Sequence, residues 1–246
     1  MDEARPSQTA LSVALRRAAH QLYDEPVVFA DPVAVAILGG EYAAALGRTP
    51  RRVDRPYSLG LRAYLVARSR FAEEGLGRAV AAGVRQYVLL GAGLDTFAYR
   101  NPYQGLRVFE VDHPATQAWK RGLLERNGIA EPEWVRYVPV DFERQSLAAE
   151  LAAGGFDAGQ PAFLSCLGVV PYLTLGAFRA TVGFVAGLAP GTGLALDYGQ
   201  PRAVLPPLEQ LAHDSLASRV EARGEPLQLF FTPGEMAGEL GAFAGH

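Results

Sequence analysis

The hydrophobic positions change rhythm once along the chain. From about residue 7 to residue 80 they recur at helical spacing: Leu11, Leu15 and Ala18, then Val33, Ile37 and Leu38, then Leu61, Tyr64, Leu65 and Ala72. This is the stripe of amphipathic helices, and no strand-like run of useful length interrupts it. Asp31-Pro32 supplies a helix start, with Asp as N-cap and Pro in the first turn. Residues 47–55, rich in Arg and bounded by prolines, read as an exposed loop.

From Gln86 onward short apolar runs alternate with segments of helical length. The runs at 87–90, 107–111, 135–140, 162–166 and 193–197 are rich in Val, Leu and aromatics, as strands are. Five strands joined by crossover helices predict an α/β fold with a parallel sheet buried on both faces. The expected division is an N-terminal helical cap over residues 1–80 and a ligand-binding core over 81–246, the two forming one structural unit. A further helix is expected at about 233–244. Residues 158–178 carry no charge, but Pro161, Pro171 and their glycines break the run. It therefore reads as a buried strand, a loop and a helix start rather than a membrane span.

Composition narrows the function more than the fold. The 246 residues are 49% hydrophobic and 20% charged, which suits one packed α/β unit. A formal net charge of −3 attracts no phosphate backbone, and no basic block is interleaved with aromatics, so nucleic acid is not an expected partner. The acidic and basic residues Asp2, Glu3, Arg5, Arg16 and Arg17 leave no room for a secretory signal near the start, and a cytoplasmic location is expected. Cys166 is the only cysteine, set in an apolar run where a buried, inert thiol is expected. The four histidines lack metal-ligand spacing, and no Gly-x-Ser-x-Gly elbow is present.

The chemistry-bearing residues cluster at strand ends. The first strand runs into Gly91-Ala92-Gly93-Leu94-Asp95-Thr96, a glycine turn where open α/β sheets bind ligands. By itself such a turn is equally a tight strand-to-helix connection. The second strand ends in Glu110-Val111-Asp112, and Asp112 lies at the spacing from Gly93 at which a carboxylate takes ribose hydroxyls. Two solvated acids are the alternative reading. A dinucleotide loop carries a third glycine and presents helix N–H groups to a pyrophosphate. Here Thr96 stands at that position and Asp95 adds negative charge, which favours a nucleoside ligand without phosphates, S-adenosylmethionine. Asp141-Phe142, after the third strand, offers an acceptor for an adenine amino group and an apolar surface, unless Asp141 caps the following helix.

Residues 88–100 (Val-Leu-Leu-Gly-Ala-Gly-Leu-Asp-Thr-Phe-Ala-Tyr-Arg), 109–114 (Phe-Glu-Val-Asp-His-Pro) and 167–174 (Leu-Gly-Val-Val-Pro-Tyr-Leu-Thr) resemble the leucine carboxyl methyltransferase-like family. The likeness is greatest to its bacterial branch, which includes carboxyl methyltransferases of polyketide biosynthesis, and it spans about residues 8 to 240. It implies a Rossmann-like methyltransferase sheet. It also implies that S-adenosylmethionine lies against Gly91, Ala92 and Gly93, with Asp112 on the ribose, Asp141 and Phe142 facing the adenine, and Arg68 on the donor carboxylate. Arg17 resembles the basic residue of the family's helical cap. Leu167 replaces an acid of the eukaryotic branch, which speaks against a protein-phosphatase substrate. Relatives continue into two further strands, so an open edge at the fifth strand and self-association through it are expected here.

The expected activity is methyl transfer to an oxygen, most simply a carboxylate of a small-molecule acceptor, which needs no general base. No catalytic residue is assigned, although Tyr172 and Tyr198 stand near strand ends where an acceptor would lie. A nicotinamide-dependent oxidoreductase and a nucleoside-binding protein without turnover are the competing readings.

Overall fold

The structure is a computed structural model describing residues 7–42, 44, 56–142 and 144–243. The expected loop at 47–55 lies outside the described residues. At the centre is a five-stranded sheet of β1 (Gln86–Leu90), β2 (Arg107–Asp112), β3 (Val135–Pro139), β4 (Phe163–Cys166) and β5 (Gly193–Leu196). Every pairing is parallel and the order is β3-β2-β1-β4-β5. The order reverses between β2 and β4, so the carboxyl end of β1 opens into the crevice where such sheets hold ligands. All five strands fall where the apolar runs place them, with ends shifted by one residue.

Helices among the described residues include α1 (Gln8–Tyr23), α2 (Pro56–Ala81), α3 (Pro114–Arg126), α4 (Leu147–Ala153), α5 (Leu175–Ala186), α6 (Pro207–Glu221) and α7 (Pro233–Gly241). Val88, Phe109, Leu164 and Phe178 anchor an apolar layer on one face of the sheet, and Leu76, Tyr87, Val108 and Phe163 one on the other. In α2 the buried stripe is Arg62, Leu65, Val66, Ser69, Ala72 and Leu76, whereas Tyr64, placed in the stripe by periodicity, is 46% exposed. Arg62 is tolerated inside because its guanidinium pairs with Asp24 (Nε to Oδ2, 2.8 Å).

Two local expectations are corrected. Between β1 and β2 the chain forms only a 3-10 turn, Phe97–Tyr99, and no α-helix. After Asp31-Pro32 there is a turn and a second short 3-10 segment, Ala36–Leu38, instead of a helix. The cause is shared. Asp31 Oδ2 accepts from Arg17 Nη2 (2.6 Å) and Thr96 Oγ1 (2.7 Å). Its carboxylate therefore joins the loop after β1 to α1, and only a 3.3 Å bond to Val33 N–H remains for capping.

Candidate functional site

One cavity of about 260 Å³ opens at the carboxyl ends of β1, β2 and β4, and Arg68, Gly91, Ala92, Gly93, Asp112, Asp141 and Phe142 all line it. The structure thus brings together every residue named from the sequence as a binder. Tyr172 and Arg17 line it as well. Tyr198 does not: it packs against the apolar layer containing Phe178.

The glycine turn is built by close packing. Gly91 has φ +67°, and a Cβ there would lie 2.3 Å from Val169 Cγ2, so both backbone and space demand glycine. Its amide and that of Ala92 donate to Val111 O (2.8 and 3.0 Å), and the Gly93 amide donates to Asp112 Oδ2 (2.5 Å). The three amides that would cradle a phosphate are therefore already bonded within the protein. No helix N-terminus follows them either, because the chain enters a 3-10 turn.

Asp112 is 9% exposed and Glu110 fully buried, so they are not solvated acids. Asp112 Oδ1 accepts the His113 amide (2.7 Å). Burial raises the Asp112 pKa above the ordinary carboxylate value, and the two amide bonds only partly offset this. Each oxygen has taken one N–H, and a carboxylate oxygen can accept another bond. Glu110 turns away to Lys120 Nζ (2.7 Å) in a buried pair. His113 caps α3 through its side chain, a structural role.

Asp141 is not the cap of the next helix, since Ser146 fills that position and accepts from Ala149 N–H (3.4 Å). Asp141 and Phe142 instead form the cavity wall beyond β3. Arg68 projects from α2 and donates from Nη1 to Asp197 Oδ2 (2.6 Å) at the end of β5. The same oxygen accepts the Tyr64 hydroxyl (2.6 Å). Burial first, and then the Asp197 charge, push Tyr64 up to about 12. Gly168 makes room for this arrangement, because a Cβ there would stand 2.8 Å from Arg68 Nη2.

Asp95 lines the cavity as a charged residue, and its charge is balanced within the protein. Its Oδ2 accepts from Arg17 Nη1 (2.7 Å) and its Oδ1 from Phe97 N–H (2.7 Å). Burial opposes ionisation, but the Arg17 and Arg100 cations win and hold Asp95 at about 2. Thr96 replaces a third glycine because its hydroxyl is used, donating to Asp31 and accepting from Arg17 Nη2 (3.1 Å). Arg100 completes the set by pairing with Glu73.

Residues that sequence reasoning missed form the roof. Ser7, Thr9, Ala10 and Val13 of the α1 end, and Gly224, Glu225, Pro226 and Gln228 after α6, close the cavity from the side opposite the sheet. Only Ser7, the α1 N-cap, carried a local signal.

Residues 10–186 match the model of the family described as leucine carboxyl methyltransferase. A Bacillus subtilis protein provisionally named an S-adenosyl-L-methionine-dependent methyltransferase, YktD, is 29% identical over 94% of this chain and 84% of its own length. A similarly named Mycolicibacterium smegmatis protein is 35% identical over 79% of this chain and 67% of its own. Among solved structures, a provisionally named methyltransferase from Thermobifida fusca superposes with TM-score 0.58 at 21% identity, covering 98% of this chain and 81% of that one. A DUF574 family protein from Streptomyces avermitilis gives 0.56 at 20% identity, with 97% and 83% covered, and at such identities both speak for the fold alone. The nicotinamide reading finds no support among these relatives. The chain belongs to the leucine carboxyl methyltransferase family, and is an S-adenosylmethionine-dependent methyltransferase.

Proposed function

We propose that this chain methylates an oxygen of a small organic acid, most simply its carboxylate. The observation that carries the donor half is the internal satisfaction of the Gly91, Ala92 and Gly93 amides beside a buried Asp112. A turn built in this way suits a nucleoside without phosphates, with Asp112 on the ribose diol and Asp141 and Phe142 at the adenine. Arg17 and Arg68 line the same cavity, and the buried Nε of Arg17 has no hydrogen-bond partner among the described residues. Both suit the carboxylate of the donor's amino-acid part, for which a planar guanidinium is well shaped.

S-adenosylmethionine supplies a methyl group on a sulfonium, which leaves as a thioether when an acceptor oxygen attacks in line. The acceptor carboxylate is ionised at neutral pH, so no proton has to be removed, and the chain's task is to position the two groups and exclude water. The carboxylate class is supported by the family's name, and Tyr172 is the cavity residue we assign to orienting the acceptor. A cytoplasmic location and the absence of nucleic acid partners complete the reading. No helix among the described residues is long and apolar enough to cross a membrane. The outer edge of β5 carries no strand among the described residues, and we read it as the place where copies would associate, a point that light scattering decides.

The activity is tested by incubating the protein with methyl-labelled S-adenosylmethionine and a panel of small organic acids, alcohols and amines. Base-labile label in the acid products alone is expected. Label confined to alcohols or amines overturns the carboxylate assignment.

A further inference from the structure

The roof of the cavity is clasped mainly by one side chain, Glu225. Glu225 follows the turn that ends α6, where Gly224 has φ +76° and the Glu225 amide donates to Val220 O (3.0 Å). Its carboxylate crosses to the start of α1. Oε1 accepts the Gln8 amide (3.1 Å), and Oε2 accepts the Thr9 amide (3.2 Å) and the Thr9 hydroxyl. Ser7 takes the Ala10 amide (3.0 Å), so Glu225 satisfies the amides that the N-cap leaves over. A second tie, Arg223 Nη1 to Ser12 Oγ (3.0 Å), runs between the same two segments.

Little else holds this side of the roof. Of the fifteen residues of α6, only Val220 is buried, and Leu208 and Leu211 are 80% and 66% exposed. Beyond Gln228 the chain is anchored firmly. The Gln228 and Leu229 amides donate to Pro171 O (2.7 and 3.2 Å), and Phe231 is buried with its ring 5.1 Å from that of Phe178. A segment with one firm end, little buried apolar area and a polar clasp at the other end belongs to the part of a structure that opens first.

We infer that the Glu225 clasp on the α1 N-terminus is the gate of the cavity, and that α6 with residues 224–227 swings away from α1, about the anchor at Gln228 and Leu229, when ligand enters or leaves. A carboxylate taking amide and hydroxyl bonds at a helix start, reinforced by the helix dipole, is strong enough to keep the mouth shut and local enough to release. Glu225 acts on the ligand through the roof and is neither a catalytic nor a binding group. The structural part of the inference is independent of the function proposed above, whereas its ligand part rests on that reading.

The test compares the parent with Glu225→Gln and Glu225→Ala in two measurements. The first is amide hydrogen exchange without ligand. If Glu225 gates, exchange rises together at Gln8 and Thr9, along α6 and at residue 225, and stays unchanged at Gln228 and Leu229. A rise confined to Gln8 and Thr9 makes Glu225 a helix cap only and overturns the gate. The second is surface plasmon resonance with S-adenosylhomocysteine. Association and dissociation should both quicken in Glu225→Gln, roughly tenfold if about 1.4 kcal/mol of closure is lost, while Kd moves much less. Unchanged rates overturn the gate. Should the parent not bind S-adenosylhomocysteine, the donor assignment fails and the exchange measurement alone decides the gate.

Discussion

The Gly93 amide donates to Asp112 Oδ2 at 2.5 Å, so the turn after β1 and the carboxylate ending β2 are one unit rather than two neighbouring motifs. The carboxylate that we assign to the ribose also holds the loop that we assign to the donor. Asp112→Ala should therefore abolish donor binding and also leave the buried amides of Gly93 and His113 unpaired, at about 1–3 kcal/mol of stability. Calorimetry with S-adenosylhomocysteine and a urea melt check both parts. Lost binding with unchanged stability would show the loop to be self-supporting.

The raised pKa of Asp112 has a consequence for binding. Ribose hydroxyls need the ionised carboxylate as acceptor. Donor affinity should thus be full above the Asp112 pKa and fall as pH drops through it, at a higher pH than the ordinary Asp value of about 3.9 would give. Titrations from neutral pH downward read the midpoint. An affinity that is flat to below pH 4 in a folded protein removes the ionised carboxylate from the interaction.

Asp95 behaves oppositely. Its folded-state pKa is depressed to about 2, so its ion pair with Arg17 stabilises the fold above the unfolded value of about 3.9, and that contribution is lost as pH falls toward 2. Asp95→Asn should cost about 1–3 kcal/mol at pH 7, with the gap from the parent closing between pH 4 and 2. Denaturant melts across that range test it, and a gap independent of pH would contradict the electrostatic account.

Gly91→Ala should destabilise the chain by roughly 2 kcal/mol or more, since it combines a left-handed backbone with a Cβ 2.3 Å from Val169 Cγ2. Adding Val169→Ala should recover the part due to the clash and leave the backbone strain. Equal melting of the single and double variants would show that the steric contact costs nothing.

The parallel sheet was legible because strands buried on both faces are nearly continuous apolar runs, and that signal is local. The glycine turn, Asp112, Asp141 and Phe142, which we assign to the donor, were legible for a related reason: each lies at or just after a strand end, where the parallel order fixes its place, whereas Arg68 lies on α2 and came from the family resemblance alone. What sequence could not show depends on partners far along the chain. Asp31 reads as a helix cap until Arg17 and Thr96 claim its carboxylate. Asp95 reads as added negative charge, and only α1 shows that charge balanced by Arg17. Arg62 is buried only because Asp24 pairs with it, and Glu225 meets a helix more than two hundred positions away with no local pattern to mark it.

The central claim is that the cavity above Gly91–Gly93 and Asp112 takes a nucleoside without phosphates. Isothermal titration calorimetry of this chain against S-adenosylmethionine, S-adenosylhomocysteine, NAD and NADP measures it directly. One site for the first two, no heat from the others and loss of binding in Asp112→Ala are expected. Binding of NAD or NADP at that site, or S-adenosylhomocysteine binding that survives in Asp112→Ala, would contradict the account.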